Sequence, residues 1–143
     1  MRGEYLTICS SAIFELITSD APVVPVNVEL SYSSRDPYAV QATFQTGGDS
    51  SVRWVFARDL LADGLVAEAG TGDVKVQPLP HDLSRIELEL TSPSGHAVFT
   101  TCAAGLAEFL DRTFEAVPPG SEYSWLDFDA ALSNLLANHR ARD

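Results

Sequence analysis

The chain has 143 residues, 45% of them apolar, and its 9 basic against 20 acidic side chains give a net charge of −11. That length fits one domain, spanning residues 1–143, with a core of ordinary size. The acidic balance argues against binding a phosphate backbone, which needs Lys and Arg to displace counterions, and against an anionic membrane surface. Two cysteines, Cys9 and Cys102, are too few for a disulfide framework and are expected as buried free thiols in strands. No stretch approaches the ~20 apolar residues of a spanning helix. Glu4 and Glu15 interrupt the start of the chain as a signal peptide. A cytoplasmic protein with no direct membrane insertion is expected.

Tyr5 to Ile17 favours one or two strand pieces, and Ser19 to Pro25 reads as a turn. Val26, Val28, Leu30 and Tyr32 alternate with Asn27, Glu29 and Ser31, the pattern of a half-buried strand. SSRDP (Ser33 to Pro37) is a turn by composition. Tyr38 to Gln45 is the next strand, with Val40, Ala42 and Phe44 on one face. TGGDSS (Thr46 to Ser51) is a hairpin connection rich in residues that tolerate positive φ.

Two periodicities meet in SVRWVFARDLLADGL (Ser51 to Leu65), the densest apolar passage of the chain. Val52, Trp54 and Phe56 alternate with Arg53 and Val55, which predicts a strand. From Phe56 the spacing turns helical, with Phe56, Leu60 and Leu61 on one stripe and Arg58, Asp59 and Asp63 off it. Gly64 is placed to stop that helix in a left-handed cap. Arg53 and Arg58 are expected to point away from the core and to pair with Asp59 or Asp63.

Val74 and Val76 mark a strand expected to end before Pro78 and Pro80. Arg85 to Thr91 is a strand with Ile86, Leu88 and Leu90 inward, and SPSGH (Ser92 to His96) turns it back into His96 to Cys102. Ala103 to Ala116 is a helix with Leu106, Phe109, Leu110 and Phe114 on one face, ended by Pro118-Pro119-Gly120. Asp127 is placed to cap a last helix from Phe128 to about Asn138. Strands, helix, strands, helix, helix make an α+β domain, and two antiparallel sheets with helices at the ends would satisfy the pattern.

The residues offer little chemistry. Gly47-Gly48 and Gly70-Thr71-Gly72 lack the strand–glycine–helix setting of a phosphate loop. His81, His96 and His139 lie far apart, in turns or the tail, with no HxxxH or CxxC pairing. Cys102 with His96 lacks an orienting third group. Ser92 and Ser94 lack the nucleophile elbow. Glu87 and Glu89 share a strand face and read as its wet side. Trp54 and Phe56 read as core. Tyr123 and Trp125, in the polar segment SEYSW, are candidates for a partner contact, as is Arg53. No catalytic residue, metal site or cofactor is expected.

WVFARDLLADGL, the upstream DPYAVQATF (Asp36 to Phe44) and the downstream GTGDVKVQP (Gly70 to Pro78) resemble the SsgA-like family. These are small sporulation and cell-division proteins of filamentous actinomycetes. The resemblance extends more loosely to RTFEAVPPG (Arg112 to Gly120). Asp36, Pro37, Tyr38, Phe44, Trp54, Phe56, Arg58, Leu60, Leu61, Gly64, Gly72 and Asp73 match the family's fold signature. The resemblance implies a whirly-type, strand-rich, barrel-like fold that assembles as a homotrimer. It also implies a non-enzymatic cytoplasmic adaptor, placed at division septa, that recruits the tubulin-like division-ring GTPase or wall-remodelling machinery. The alternative is a single-stranded nucleic-acid-binding module of the same fold, which the charge disfavours.

Overall fold

A computed structural model describes residues 5–20 and 22–122. Their order is β1 (Thr7–Ile17), β2 (Val24–Ser33), β3 (Ala39–Gly47), β4 (Ser50–Ala57), α1 (Arg58–Gly64), β5 (Val74–Leu79), β6 (Asp82–Ser92), β7 (Gly95–Cys102) and α2 (Ala103–Ala116). All seven strands join one antiparallel sheet in the order β4-β3-β2-β1-β7-β6-β5. The fold is α+β, and the strands form one continuous sheet. Each half is a meander followed by a helix. The halves meet where β1 pairs β7 through Glu15↔Thr100, Leu16↔Phe99 and Ile17↔Val98.

The sheet curls into a half-barrel. Phe44 on β3 and Phe99 on β7 lie three strand steps apart, which in a flat sheet is about 14 Å. Their ring centroids are 5.0 Å apart, with Phe14 of β1 edge-on to both. Period-two alternation sends Val28, Leu30 and Tyr32 of β2, Val40 and Ala42 of β3, and Ile86, Leu88 and Leu90 of β6 into the concave side. Leu61 of α1 and Leu106, Phe109 and Leu110 of α2 cover that side. Beneath the helices Phe56, Leu61, Ile86 and Leu106 come together.

Four expectations are corrected. The helical spacing from Phe56 begins two residues too early, because Phe56 is still the last inward residue of β4 and α1 starts at Arg58. Gly64 is not a left-handed cap, since positive φ belongs to Gly47, Gly48, Gly70 and Gly120. It is buried where α1 crosses β5, and a Cβ there would overlap the Val76 side chain. β5 does not stop before Pro78 but carries it opposite Ile86. It is an edge strand, where a missing N–H costs no ladder bond. Cys9 and Cys102 are exposed, not buried. Cys9 takes an outward position of β1, and Cys102 follows the inward Thr101 at the end of β7.

Candidate functional site

One of the residues expected as a fold signature, Arg58, is a buried cation. Arg58 opens α1 and is fully buried, so the expectation that it points to solvent and pairs with Asp59 or Asp63 is overturned. Its main-chain N–H donates to the Tyr38 carbonyl at 2.7 Å, which turns the chain from β4 into the helix. Its guanidinium lies between the rings of Tyr32 and Phe114, 5.0 and 4.2 Å from their centroids. Nη1 donates to the Thr113 carbonyl at 3.1 Å, where α2 ends. Nη2 donates to Glu122 Oε2 at 2.6 Å, and Glu122 Oε1 accepts from the Gly120 N–H at 2.8 Å. A buried charge must be paired, and a guanidinium fork can hold several acceptors at once. Arg58 therefore joins β2, α1, the end of α2 and the segment that follows it.

This arrangement suits a structural joint. Burial pushes the Glu122 carboxyl up, but the Arg58 hydrogen bond and the main-chain bonds of Glu122 and Gly120 outweigh it and hold the group below the usual carboxylate range. It stays ionised at neutral pH. Burial pushes the Tyr32 hydroxyl up to about 12, against the opposing pull of Arg58. That hydroxyl donates to the Pro37 carbonyl at 2.9 Å. Arg58 Nε is the one buried side-chain polar atom among the described residues without a hydrogen-bond partner.

The other residues that the resemblance marked lie spread over the fold. Asp36 forms the β2–β3 turn, with its N–H on Ser33 and its carbonyl accepting from Ala39. Pro37 is buried, while Tyr38 is exposed. Phe44 and Phe56 are core, and Trp54 is partly buried, stacked on Phe56 with centroids 6.3 Å apart. Leu61 is buried and Leu60 only partly so. Gly72 has open space around it, and the Asp73 carbonyl accepts from Thr91. Arg53 is exposed on edge strand β4. Tyr123, Trp125, Asp127, His139 and the last expected helix lie outside the described residues.

His96 meets Glu89 on the outer face, and His81 is exposed in the β5–β6 turn. The hydrogen bond from His96 holds the Glu89 carboxyl below the usual carboxylate range, against the opposing effect of desolvation. Among the described residues no three His, Cys, Asp or Glu side chains converge on a metal-holding position. No described helix is long and apolar enough to cross a membrane.

The described residues line concavities as well. A mouth of about 210 Å³ opens between Val52 and Trp54 on one wall and Leu90 and Ala97 on the other. A slot of about 310 Å³ lies between β1 and the start of α2. The outer face of the sheet also exposes Ile13, Ile17 and Val55. Among the described residues the buried charges are paired, and several apolar surfaces stand outside.

A family model described as Streptomyces sporulation and cell division protein, SsgA, matches residues 26–122. The chain belongs to the SsgA family. A sporulation-specific cell division protein SsgB from Saccharopolyspora erythraea is 54% identical over 136 residues, covering 95% of this chain and 96% of that one. The SsgB of Streptomyces coelicolor is 46% identical over 132 residues, covering 92% and 96%. The solved structure of an SsgA-like sporulation-specific cell division protein from Thermobifida fusca superposes with a TM-score of 0.85 at 39% identity, over 94% of this chain and 98% of that one. A second solved structure, from a study of SsgB mutations and longitudinal cell division in sporulating Streptomyces coelicolor, gives a TM-score of 0.80 at 44% identity, over 85% and 96%.

Sequence reasoning missed Glu122 and Thr113, the acceptors that hold Arg58. One signal was present. Thr113 completes the i, i+3, i+4, i+7 stripe of Leu106, Phe109 and Leu110, a core position occupied by a polar residue.

Proposed function

We propose that this chain is a non-enzymatic adaptor of sporulation-specific cell division, working in the cytoplasm at septa as a homotrimer. It brings the tubulin-like division-ring GTPase, or wall-remodelling machinery, to the division site. The observation that carries this is near full-length identity to proteins of sporulation-specific division, 54% across 95% of the chain. The geometry supports it, because the charged groups at the buried centre are committed to one another and apolar side chains stand on the outside. A net charge of −11 suits basic or neutral protein partners over nucleic acid.

Light scattering coupled to size exclusion tests the proposal, first on the purified chain and then with the GTPase added. A trimer that co-elutes with the GTPase is expected. A trimer that ignores the GTPase moves the function to other division or wall partners. A monomer removes the assembly from the proposal.

A further inference from the structure

β1 is eleven residues long but pairs β7 only through Glu15, Leu16 and Ile17. Among the described residues no strand pairs this second edge from Thr7 to Phe14, in the middle of the sheet. Backbone groups of alternate residues point to opposite edges of a strand. The Leu6 carbonyl accepts from Ser34 on the β2 side, so the even-numbered residues of β1 face β2. The main-chain groups of Ser11 and Ile13 therefore face the slot beside α2, and those of Cys9 point the same way just past its lining. Among the described residues, side chains from the far wall meet two of those groups. Thr101 Oγ1 donates to the Ile13 carbonyl at 2.9 Å, and Arg112 Nη1 reaches the Cys9 carbonyl at 3.5 Å. Ser11, between them, presents its N–H and C=O to the cavity.

The walls fit the same reading. Leu30 and Leu106 give the slot an apolar floor. Gly105 forms part of the helix wall, and a Cβ there would meet nothing within 4 Å. Glycine inside a helix costs stability, and packing does not require one here. What its missing side chain does is leave the slot wide. Arg112, at the Cys9 end, is exposed and forms no ion pair among the described residues. On so acidic a chain, an arginine left to a long bond with a carbonyl is a place for a carboxylate.

We infer that this slot takes an extended peptide segment of a partner protein, with its main chain hydrogen-bonded to Ser11 and a carboxylate set against Arg112. Donor and acceptor on one strand edge are matched by another extended main chain, and alternate side chains then enter the apolar floor. The inference rests on the adaptor reading and gives it a contact surface.

The test is a random peptide library displayed on phage, panned against the full chain. Enriched peptides are expected to alternate strand-forming residues and to carry one Asp or Glu within a sequence of neutral or basic net charge. The strongest, made synthetically, should slow hydrogen exchange at the Ser11 amide. Its affinity should fall at least tenfold for Gly105→Leu, which fills the slot, and for Arg112→Ala. Gly105→Leu should melt no lower than the parent, and Arg112→Ala serves as the independent surface variant. An absence of enrichment over an unrelated protein overturns the inference. So does a peptide that binds both variants as well as the parent, or one that leaves Ser11 exchange unchanged. Peptide binding is read without the GTPase, so this inference and the adaptor proposal fail separately.

Discussion

At the scale of single residues, Arg58 and Glu122 are the most consequential side chains described. Removing one partner of a buried pair leaves an uncompensated charge, which typically costs about 3–5 kcal/mol. Glu122→Gln and Arg58→Met should each lose stability of that order in urea unfolding, while the pair Arg58→Met with Glu122→Leu should recover much of it. Arg58→Lys should not rescue, because an ammonium cannot hold Glu122 and the Thr113 carbonyl in one planar fork. The pH dependence has a fixed sign. Glu122 titrates lower in the folded chain than in the unfolded one. Its contribution is complete above the unfolded glutamate value of about 4.3 and is lost as pH falls through the folded value. The stability gap between parent and Glu122→Gln should therefore close as the medium is taken below about pH 4. A gap that stays constant through acid would show that the carboxylate is not the stabilising form. Nothing local in the sequence announces this pair, because its partners lie 64 positions apart.

At the scale of elements, local pattern and structure agree where one face of a strand or helix is buried. The alternation over β2, β3 and β6 and the stripe of α2 were legible, because burial on one side forces a period of two or of about 3.6. What was not legible was set by neighbours distant in sequence. The exposure of Cys9 follows from which face of β1 curls inward, and apolar content alone does not reveal it. The role of Gly64 follows from β5 lying against α1. The two helical glycines should consequently behave in opposite ways. Gly64→Ala forces its methyl into Val76 and should cost about 1–3 kcal/mol, as overpacking does. Gly105→Ala meets open space and should gain up to about 1 kcal/mol from helix propensity. Thermal melts of the two variants decide it. Leu61→Ala should cost about 2–5 kcal/mol, and Leu60→Ala, at a partly buried site, distinctly less.

At the scale of the whole molecule, charge and curvature pull against each other. The half-barrel draws seven strands around one apolar core, while −11 of net charge resists compaction and resists bringing copies together. Three basic residues stand on the outer side of the described sheet, Arg53, Lys75 and Arg85, and Arg85 is already paired with Glu15 at 3.0 Å. The proposed trimer would therefore rest on apolar surface such as Ile13, Ile17 and Val55, with electrostatics opposing it. Salt separates these contributions. Raising ionic strength from about 0.01 to about 0.15 M shortens the screening length from about 30 to about 8 Å. The melting temperature should rise over that range, and the trimer expected in light scattering should persist to lower protein concentration. A protein held on nucleic acid by phosphate contacts would show the reverse, with binding that falls steeply over the same range. Single-stranded DNA titrated at both ionic strengths should accordingly show no salt-sensitive complex. If the assembly instead weakens with salt, charge pairs hold the copies together, and the apolar outer face is free for another partner.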